Sequence, residues 1–379
     1  MLLADLTNGK IIDYDGGSFL SVERRLGDIE TGNMGRYIRK YRDSLFHKNI
    51  QKHFPELALI PKNRMLFFDI ETSGLSSDSP VISIAMAKVL HQADVHLQCL
   101  FARDYIGERA VLKYFLDILP NYEAFFTYNG STFDLPRLDA RVIYNGLFSG
   151  IENSLKATLD SGEQKKHYDL YQIGRENGRI RLESASLQKI EKFDFHFERP
   201  GDITGDKIPG AYFEYVYGRE MRERDIRIQM RVNPRLWEEC GQKVEEVLRV
   251  KRDDPKFNER VASFYINEYG QQAYVPGDGL WKKCREQAKV DHNLGSRDPQ
   301  AKNFAEALFS RWGGRTIKKP YPGKRVSRKR TLEDMAKIIN HNLLDVASMV
   351  AVLTYLNRPA GSPKPYEELG EPADNGVPF

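Results

Sequence analysis

Cysteine is scarce in this chain: Cys99, Cys240 and Cys284 are three among 379 residues. So few thiols give no disulfide framework, and a reducing cytoplasm is the compartment expected. Long apolar runs are missing as well. No stretch approaches about 18 uninterrupted apolar residues and the amino-terminus has no extended apolar segment, so neither a spanning helix, a secretory signal nor a membrane partner is expected. There is no internal repeat, and the formal net charge of +4 says little by itself about polyanionic partners. With 41% hydrophobic residues the chain can bury a substantial core, as one large domain with an elaboration or as two domains.

Against that background one stretch is out of place. Arg64-Met65-Leu66-Phe67-Phe68-Asp69-Ile70-Glu71-Thr72-Ser73-Gly74-Leu75 reads as a bulky apolar strand, central and covered on both faces, that ends in two acids and a turn. Positions i and i+2 of a strand point the same way, so Asp69 and Glu71 would share one face, about 6 to 7 Å apart along the backbone. An acidic turn at a strand exit is the plain alternative. A pair of metal ligands is the functional one.

Two further acids sit in apolar settings. Ala124 to Leu138 reads as a strand broken at Asn129-Gly130 and followed by a helix that Ser131 or Thr132 can cap, with Pro136 tolerated in its first turn. Asp134 therefore lies at a helix start, where the dipole alone would favour an acid. Farther on, Thr331-Leu332-Glu333-Asp334 opens a helical run from Met335 to Leu356 in which His341 and Asp345 are four apart, on one face. A hydrogen-bonded core pair would also suit that spacing. Brought together, Asp69, Glu71, Asp134 and Asp345 would place four negative charges in one pocket, which raises carboxylate pKa values by units unless cations neutralise it. All-oxygen ligands favour Mg²⁺ or Mn²⁺, two such ions suit phosphodiester displacement, and His341 could take a proton from an attacking water.

At these residues the chain resembles the DEDD superfamily of 3'-5' exonucleases, which have a ribonuclease H-like fold. Phe68 to Leu75 looks like its first motif, Tyr128 to Asp134 like its second, and His341-Asn342-Leu343-Leu344-Asp345 like its third, in the family's order. The resemblance implies Asp69, Glu71, Asp134 and Asp345 as metal ligands and His341 as general base. It also implies Thr72 and Leu75 at the 3'-terminal nucleotide, Leu75 as a wedge, and Asn129 as a polar contact. Three residues separate His341 from Asp345, the spacing usual where Tyr replaces the His, and this points to a subgroup. The closer similarity is to the YprB-like ribonuclease H-like domain, carried by Gly17 to Arg25, His167 to Leu170, Leu182 to Leu187 with Ile190-Glu191, and Ile208-Pro209-Gly210 with Tyr212, Phe213 and Tyr215. Asp169, within one of those pieces, fits a fifth carboxylate near the metals and a structural hydrogen bond equally.

Periodicity places strands at 65–70, 81–90, 96–102 and 123–128, with helices at about 107–119 and 135–145. Composition and periodicity give α/β; the resemblance makes it a ribonuclease H-like mixed sheet flanked by helices, with an α-rich insertion. The expected organisation is an N-terminal flank (1–60), a core (61–220), a basic insertion (221–330), a C-terminal helix of the core (331–358) and a tail (359–379). The flank carries a basic helical stretch from Tyr37 to Phe54. Residues 219–335 hold 27 Lys or Arg against 18 Asp or Glu, while the remainder holds 30 against 35. Residues 311–330 alone carry nine bases and no acid, among them Arg311, Arg315, Lys318 and Lys319, interleaved with Trp312 and Tyr321; Gly313, Gly314, Pro320, Pro322 and Gly323 argue for a loop. Such a stretch can track phosphates and stack on bases, or be a solvated basic loop. Helical patterns at Pro234 to Arg252 and Asn258 to Tyr269 leave room for a docked protein partner over 221–310. Cys240, Cys284 and His292 are too few and irregular for zinc.

The expected function is a Mg²⁺- or Mn²⁺-dependent 3'-5' exonuclease on single-stranded nucleic acid with a free 3' end, DNA ahead of RNA. An endonuclease of the same fold and a silent nucleic-acid-binding adaptor are the alternatives.

Overall fold

A computed structural model describes residues 2–41, 57, 59–74, 79–90, 94–147, 166–176, 178, 180, 186–229, 234–248, 250–255, 257–258, 260–262, 264, 279–292, 299–311, 314–358 and 362–370. The chain divides into two compact units, Met1–Gly218 with Val326–Phe379, and Arg219–Arg325.

The first unit is built on a seven-stranded mixed sheet of β1 (Lys10–Tyr14), β2 (Gly17–Arg25), β3 (Met65–Thr72), β4 (Val81–Val89), β5 (Val95–Phe101), β6 (Ala124–Thr127) and β7 (Lys166–Asp169). Their spatial order is β1-β2-β5-β4-β3-β6-β7, with β3, β6 and β7 mutually parallel along the ladder and the other pairs antiparallel. The expected strands and helices are found within a few residues of their predicted limits. Helices α1 (Leu3–Thr7), α2 (Gly32–Tyr41), α3 (Glu108–Ile118), α4 (Asp134–Tyr144), α5 (Leu170–Glu176), α6 (Leu187–Asp194) and α7 (Ile208–Tyr217) surround it. Of the basic stretch expected as a helix from Tyr37 to Phe54, α2 covers the beginning, and most of the rest lies outside the described residues.

Strand β3 shows how the sequence positions the site. Met65 and Phe67 belong to one core, with Phe126, Tyr168 and the long C-terminal helix; Leu66, Phe68 and Ile70 belong to the other, with Phe115, Phe125 and Leu138. Phe67 stacks on Phe126 at 4.7 Å between centroids, and Phe68 meets Phe115 edge-on at 5.3 Å. Each buried phenylalanine contributes about 1.5–3 kcal/mol of apolar burial. The two-residue period then carries Asp69 and Glu71 to the Met65/Phe67 face. A register shift between Glu71 and Thr72 ends the regular ladder with β4 at that point.

That face is covered by α11 (Arg328–Leu356), which packs on β3, β4 and β5 and is buried almost throughout from Ile338 onward. By length and composition α11 could cross a membrane, but 94% of its most apolar window is buried inside the protein, so the core accounts for its apolarity. A short helix, α12 (Pro365–Leu369), follows and packs on α2.

On the opposite face a buried ion pair ties helices to sheet. Glu108 of α3 accepts two hydrogen bonds from Arg141 of α4, at 2.8 and 2.6 Å, and a third from the Val81 amide of β4 at 2.7 Å.

The second unit contains a two-stranded antiparallel ribbon of β8 (Arg219–Gln229) and β9 (Gly314–Arg325), with helices α8 (Pro234–Leu248), α9 (Gly279–His292) and α10 (Pro299–Arg311). Cys240, Val244, Phe257, Val261 and Phe264 form one small core, and Cys284, Ala288, Ala305 and Phe309 another. The loop expected over 311–330 is a correction: Gly314–Arg325 is a strand paired with β8, and α11 already begins at Arg328. In a two-stranded ribbon both strands are edges, so Pro320 and Pro322 need not interrupt the ladder. Most of the helix expected at 258–269 lies outside the described residues.

Candidate metal centre

The site forms where the acid end of β3 meets α11, with the start of α4 beside it. Glu71 from β3 and His341 and Asp345 from α11 bring their ligand atoms within 4.8 Å of one another. His341 Nε2 lies 3.3 Å from Asp345 Oδ2 and 3.6 Å from Glu71 Oε1. The helical spacing of four thus becomes a shared face, and the face looks at the acid end of β3.

Asp69 and Asp134 are held beside this group by different means. Asn342, fully buried next to His341, donates from Nδ2 to Asp69 Oδ2 at 2.7 Å, and its Oδ1 accepts from Ser83 Oγ of β4 at 2.9 Å. Asp134, the first residue of α4, is buried and accepts from the amide of Ile70, the β3 residue between the two acids, at 3.1 Å.

The electrostatics mark Asp69, Glu71 and Asp134 as a strained set. Burial raises the Asp69 carboxyl well above its usual range, and the charges of Asp134, Asp345 and Glu71 add to it. Glu71 is pushed up to about 8, first by burial and then by Asp345 and Asp134, although His341 works the other way. Asp134 rises to about 7 through burial, partly opposed by its hydrogen bond from Ile70. Burial would lower His341, but Asp345 and the bond to Asp202 outweigh it and lift the imidazole to about 9.

Three residues not anticipated from the sequence complete the centre. Arg199 follows α6 and is buried. It donates to both oxygens of Glu191, at 2.8 and 2.5 Å, to Asp345 Oδ1 at 2.6 Å and to the His341 carbonyl at 3.3 Å. Asp202 places both oxygens 2.8 Å from His341 Nδ1. Glu191 also accepts from Ser348 of α11 at 2.5 Å. Between Arg199 and Asp202, Gly201 takes φ +66°, the left-handed conformation that a Pro-Gly turn requires. Two opposite charges astride Pro200-Gly201 are the signal the sequence offered. Asn342 is the third, an uncharged residue between the His and the Asp of the motif.

The remaining predicted residues fall differently. Thr72 is buried and its hydroxyl donates to the Gly74 carbonyl at 2.7 Å, so that group is spent on the turn. Leu75 lies outside the described residues. Asn129 has φ +60° and its Oδ1 accepts from Thr132 at 2.8 Å. Gly130 is required there because a Cβ would stand 2.2 Å from Thr127 Oγ1. Asp169 accepts from the amides of Asn129, Ser131 and Tyr171 at 2.8, 3.1 and 3.1 Å, which is the structural alternative of the two considered. Arg311 ends α10 in the second unit, and Arg315, Lys318 and Lys319 lie on β9 with side chains outside the described residues. Of the bases at the foot of α11, Arg330 faces Glu214 at 3.3 Å and Asp334 at 3.6 Å.

The donor set suits a hard divalent cation. Two carboxylates, Glu71 and Asp345, and the His341 imidazole converge with Asp69 and Asp134 at hand, and the raised pKa values of Asp69, Glu71 and Asp134 mark crowded negative charge that a cation would relieve.

A family model described as the RNase_H superfamily matches residues 66–229. Over 161 residues, 42% of this chain and 36% of the relative, the sequence is 26% identical to the uncharacterized protein YprB of Bacillus subtilis (strain 168). Over 310 residues it is 23% identical to a DNA polymerase of Pyrococcus glycovorans, covering 72% of this chain and 36% of that one. In each case the match spans about a third of the length of the curated relative. With the mixed seven-stranded sheet and its flanking helices, these findings give the first unit a ribonuclease H-like fold.

Proposed function

We propose that the chain is a divalent-metal-dependent 3'-5' exonuclease that hydrolyses single-stranded nucleic acid, DNA ahead of RNA, in a reducing cytoplasm. The observation that carries this reading is the convergence of Glu71, His341 and Asp345, with Asp69 and Asp134 beside them, in a pocket whose carboxylates ionise only at a cost. The similarity to a DNA polymerase speaks for DNA. Three free, buried cysteines accord with the compartment.

Asp69, Glu71, Asp134 and Asp345 would hold two Mg²⁺ or Mn²⁺ ions, which when bound supply Lewis-acid polarisation of the phosphoryl group and acidify a water. The chain's own part is positioning and proton transfer. Arg199 occupies Asp345 Oδ1, so Oδ2 is the oxygen presented to the pocket. Asn342 fixes one oxygen of Asp69 and the Ile70 amide fixes one of Asp134, which turns the other oxygen of each free to ligate. His341 Nε2 faces the same space, and as the neutral ring, once bound cations offset the acids that raise it, would take the proton of the attacking water. We assign Thr72, Leu75 and Asn129 to contacts with the terminal nucleotide, in the first two cases through backbone or apolar groups. The basic residues Arg311, Arg315, Lys318 and Lys319 are assigned to the phosphates of the strand, and the 221–310 region to a protein partner.

End-labelled single-stranded DNA, single-stranded RNA and duplexes, with free or blocked 3' ends, test the reading in Mg²⁺, Mn²⁺ or EDTA. Stepwise shortening from a free 3' end, lost with EDTA and in Asp69→Ala, is expected. Cutting that survives a blocked end makes the protein an endonuclease, and binding without cleavage makes it an adaptor.

A further inference from the structure

We infer that Asp202 is a positioning residue for His341, holding the Nδ1 proton so that the Nε2 lone pair faces the acid pocket; this rests on the exonuclease reading above. The argument is one of donors and acceptors. An ionised carboxylate only accepts, and both oxygens of Asp202 stand 2.8 Å from Nδ1, so Nδ1 carries the hydrogen between them. Arg199 Nη1 also approaches Nδ1, at 3.3 Å, but a guanidinium only donates and cannot bond to a nitrogen that is itself a donor. Its hydrogen goes instead to the His341 carbonyl, also at 3.3 Å. With Nδ1 so engaged, the neutral ring has its acceptor at Nε2, the atom 3.3 Å from Asp345 and 3.6 Å from Glu71.

Asp202 is itself fixed from several sides. Gln188 Nε2 of α6 donates to Oδ2 at 3.3 Å, Arg199 stands 3.7 Å away, and the turn at Gly201 sets its backbone. Its other side borders a cavity of about 430 Å³ lined also by Lys207, Arg330, Asp334 and Lys337, where water can reach the carboxylate. The arrangement answers the short motif spacing: in place of the Tyr usual at this position, which needs no tautomer, the chain has a His, which needs one.

The test uses the full chain loaded with Mg²⁺, comparing the wild type with Asp202→Ala and Asp202→Asn. Nitrogen-edited NMR of the histidine rings, in the neutral state, is expected to show the His341 proton on Nδ1 in the wild type and shared with Nε2 in Asp202→Ala. The kcat on end-labelled single-stranded DNA should fall about 10- to 100-fold in that variant, with KM and Mn²⁺ affinity changed less than about twofold. A wild-type proton on Nε2, or an Asp202→Ala ring indistinguishable from wild type, overturns the inference. If Asp202→Ala does not fold, Asp202→Asn decides: its amide can accept from or donate to Nδ1, so a mixture of ring forms is expected, and a single unchanged Nδ1–H signal with full kcat overturns the inference. Absence of turnover in every variant, with the proton still placed by Asp202, supports the positioning and overturns the exonuclease reading instead.

Discussion

The side-chain amide of Asn342 donates to Asp69 Oδ2 across 2.7 Å, joining the core of α11 to the acid end of β3. Because Asn342 is fully buried and its Oδ1 is taken by Ser83, the amide has one orientation. Asn342→Ala should therefore weaken Mn²⁺ binding about 10- to 100-fold, as loss of a ligand's supporting hydrogen bond does. It should also cost about 1–3 kcal/mol of stability, since Ser83 is left without that acceptor. Calorimetric titration with Mn²⁺ and urea denaturation read the two effects separately; unchanged affinity would mean that Asp69 is not a ligand.

Asp169 offers a contrast. Its two oxygens receive two backbone amides of the Asn129–Ser131 turn and a third from Tyr171, which leaves it committed to the loop that leads into Asp134. Asp169→Asn replaces a full acceptor set with one that can turn a donor toward those amides, and should destabilise the protein by about 1–3 kcal/mol. Mn²⁺ affinity measured well below the melting temperature should stay within a fewfold of wild type. A large loss of affinity with unchanged melting would restore Asp169 to the metal set.

Most of the fold was legible because its strands are simple signals. Met65 to Phe68 and Ala124 to Phe126 are uninterrupted apolar runs, and such runs mark strands covered on both faces. That His341 and Asp345 share a face followed from helical spacing alone. What escaped was set by turns and by pairing across the chain. Arg199 and Asp202 sit in a segment without periodicity, and only their approach to α11 gives them meaning. Strand β9 was misread because Pro320, Pro322 and Gly323 argue locally for a loop, whereas pairing with β8 overrides that preference.

The Glu108–Arg141 pair predicts a purely structural effect. Both side chains are almost fully buried, and the Glu108 carboxylate also caps the Val81 amide at the start of β4. Removing one partner leaves a buried charge, so Glu108→Ala should cost about 3–5 kcal/mol. The double change Glu108→Met with Arg141→Met should recover part of that loss, apart from the Val81 amide that no longer has its acceptor. Urea denaturation of Glu108→Ala, of Glu108→Met and Arg141→Met singly, and of the double variant checks this. If the double change costs the sum of the two single ones, the charges are not coupled.

The acid pocket predicts how metal-free protein responds to pH. Glu71 titrates near 8 and Asp134 near 7 in the folded chain, against ordinary values of 4.5 and 3.8. The folded state therefore binds more protons than the unfolded one across that interval, and stability must fall as pH rises through it. His341 acts in the same sense, because its folded value of about 9 lies above its ordinary 6.5 and its contribution disappears as pH rises through that value. In EDTA the free energy of unfolding should decline between about pH 5 and 8, by at most about 1.4 kcal/mol per pH unit for each proton carried. Glu71→Gln should flatten the slope, since the amide does not titrate. Mn²⁺ binds the ionised carboxylates, so its stabilisation should grow with pH and offset the decline. Urea midpoints of both proteins at several pH values, with EDTA or Mn²⁺, measure this directly. A metal-free slope that is flat or positive and identical in Glu71→Gln would mean that these carboxylates are not the crowded, charge-repelling group on which metal binding here depends.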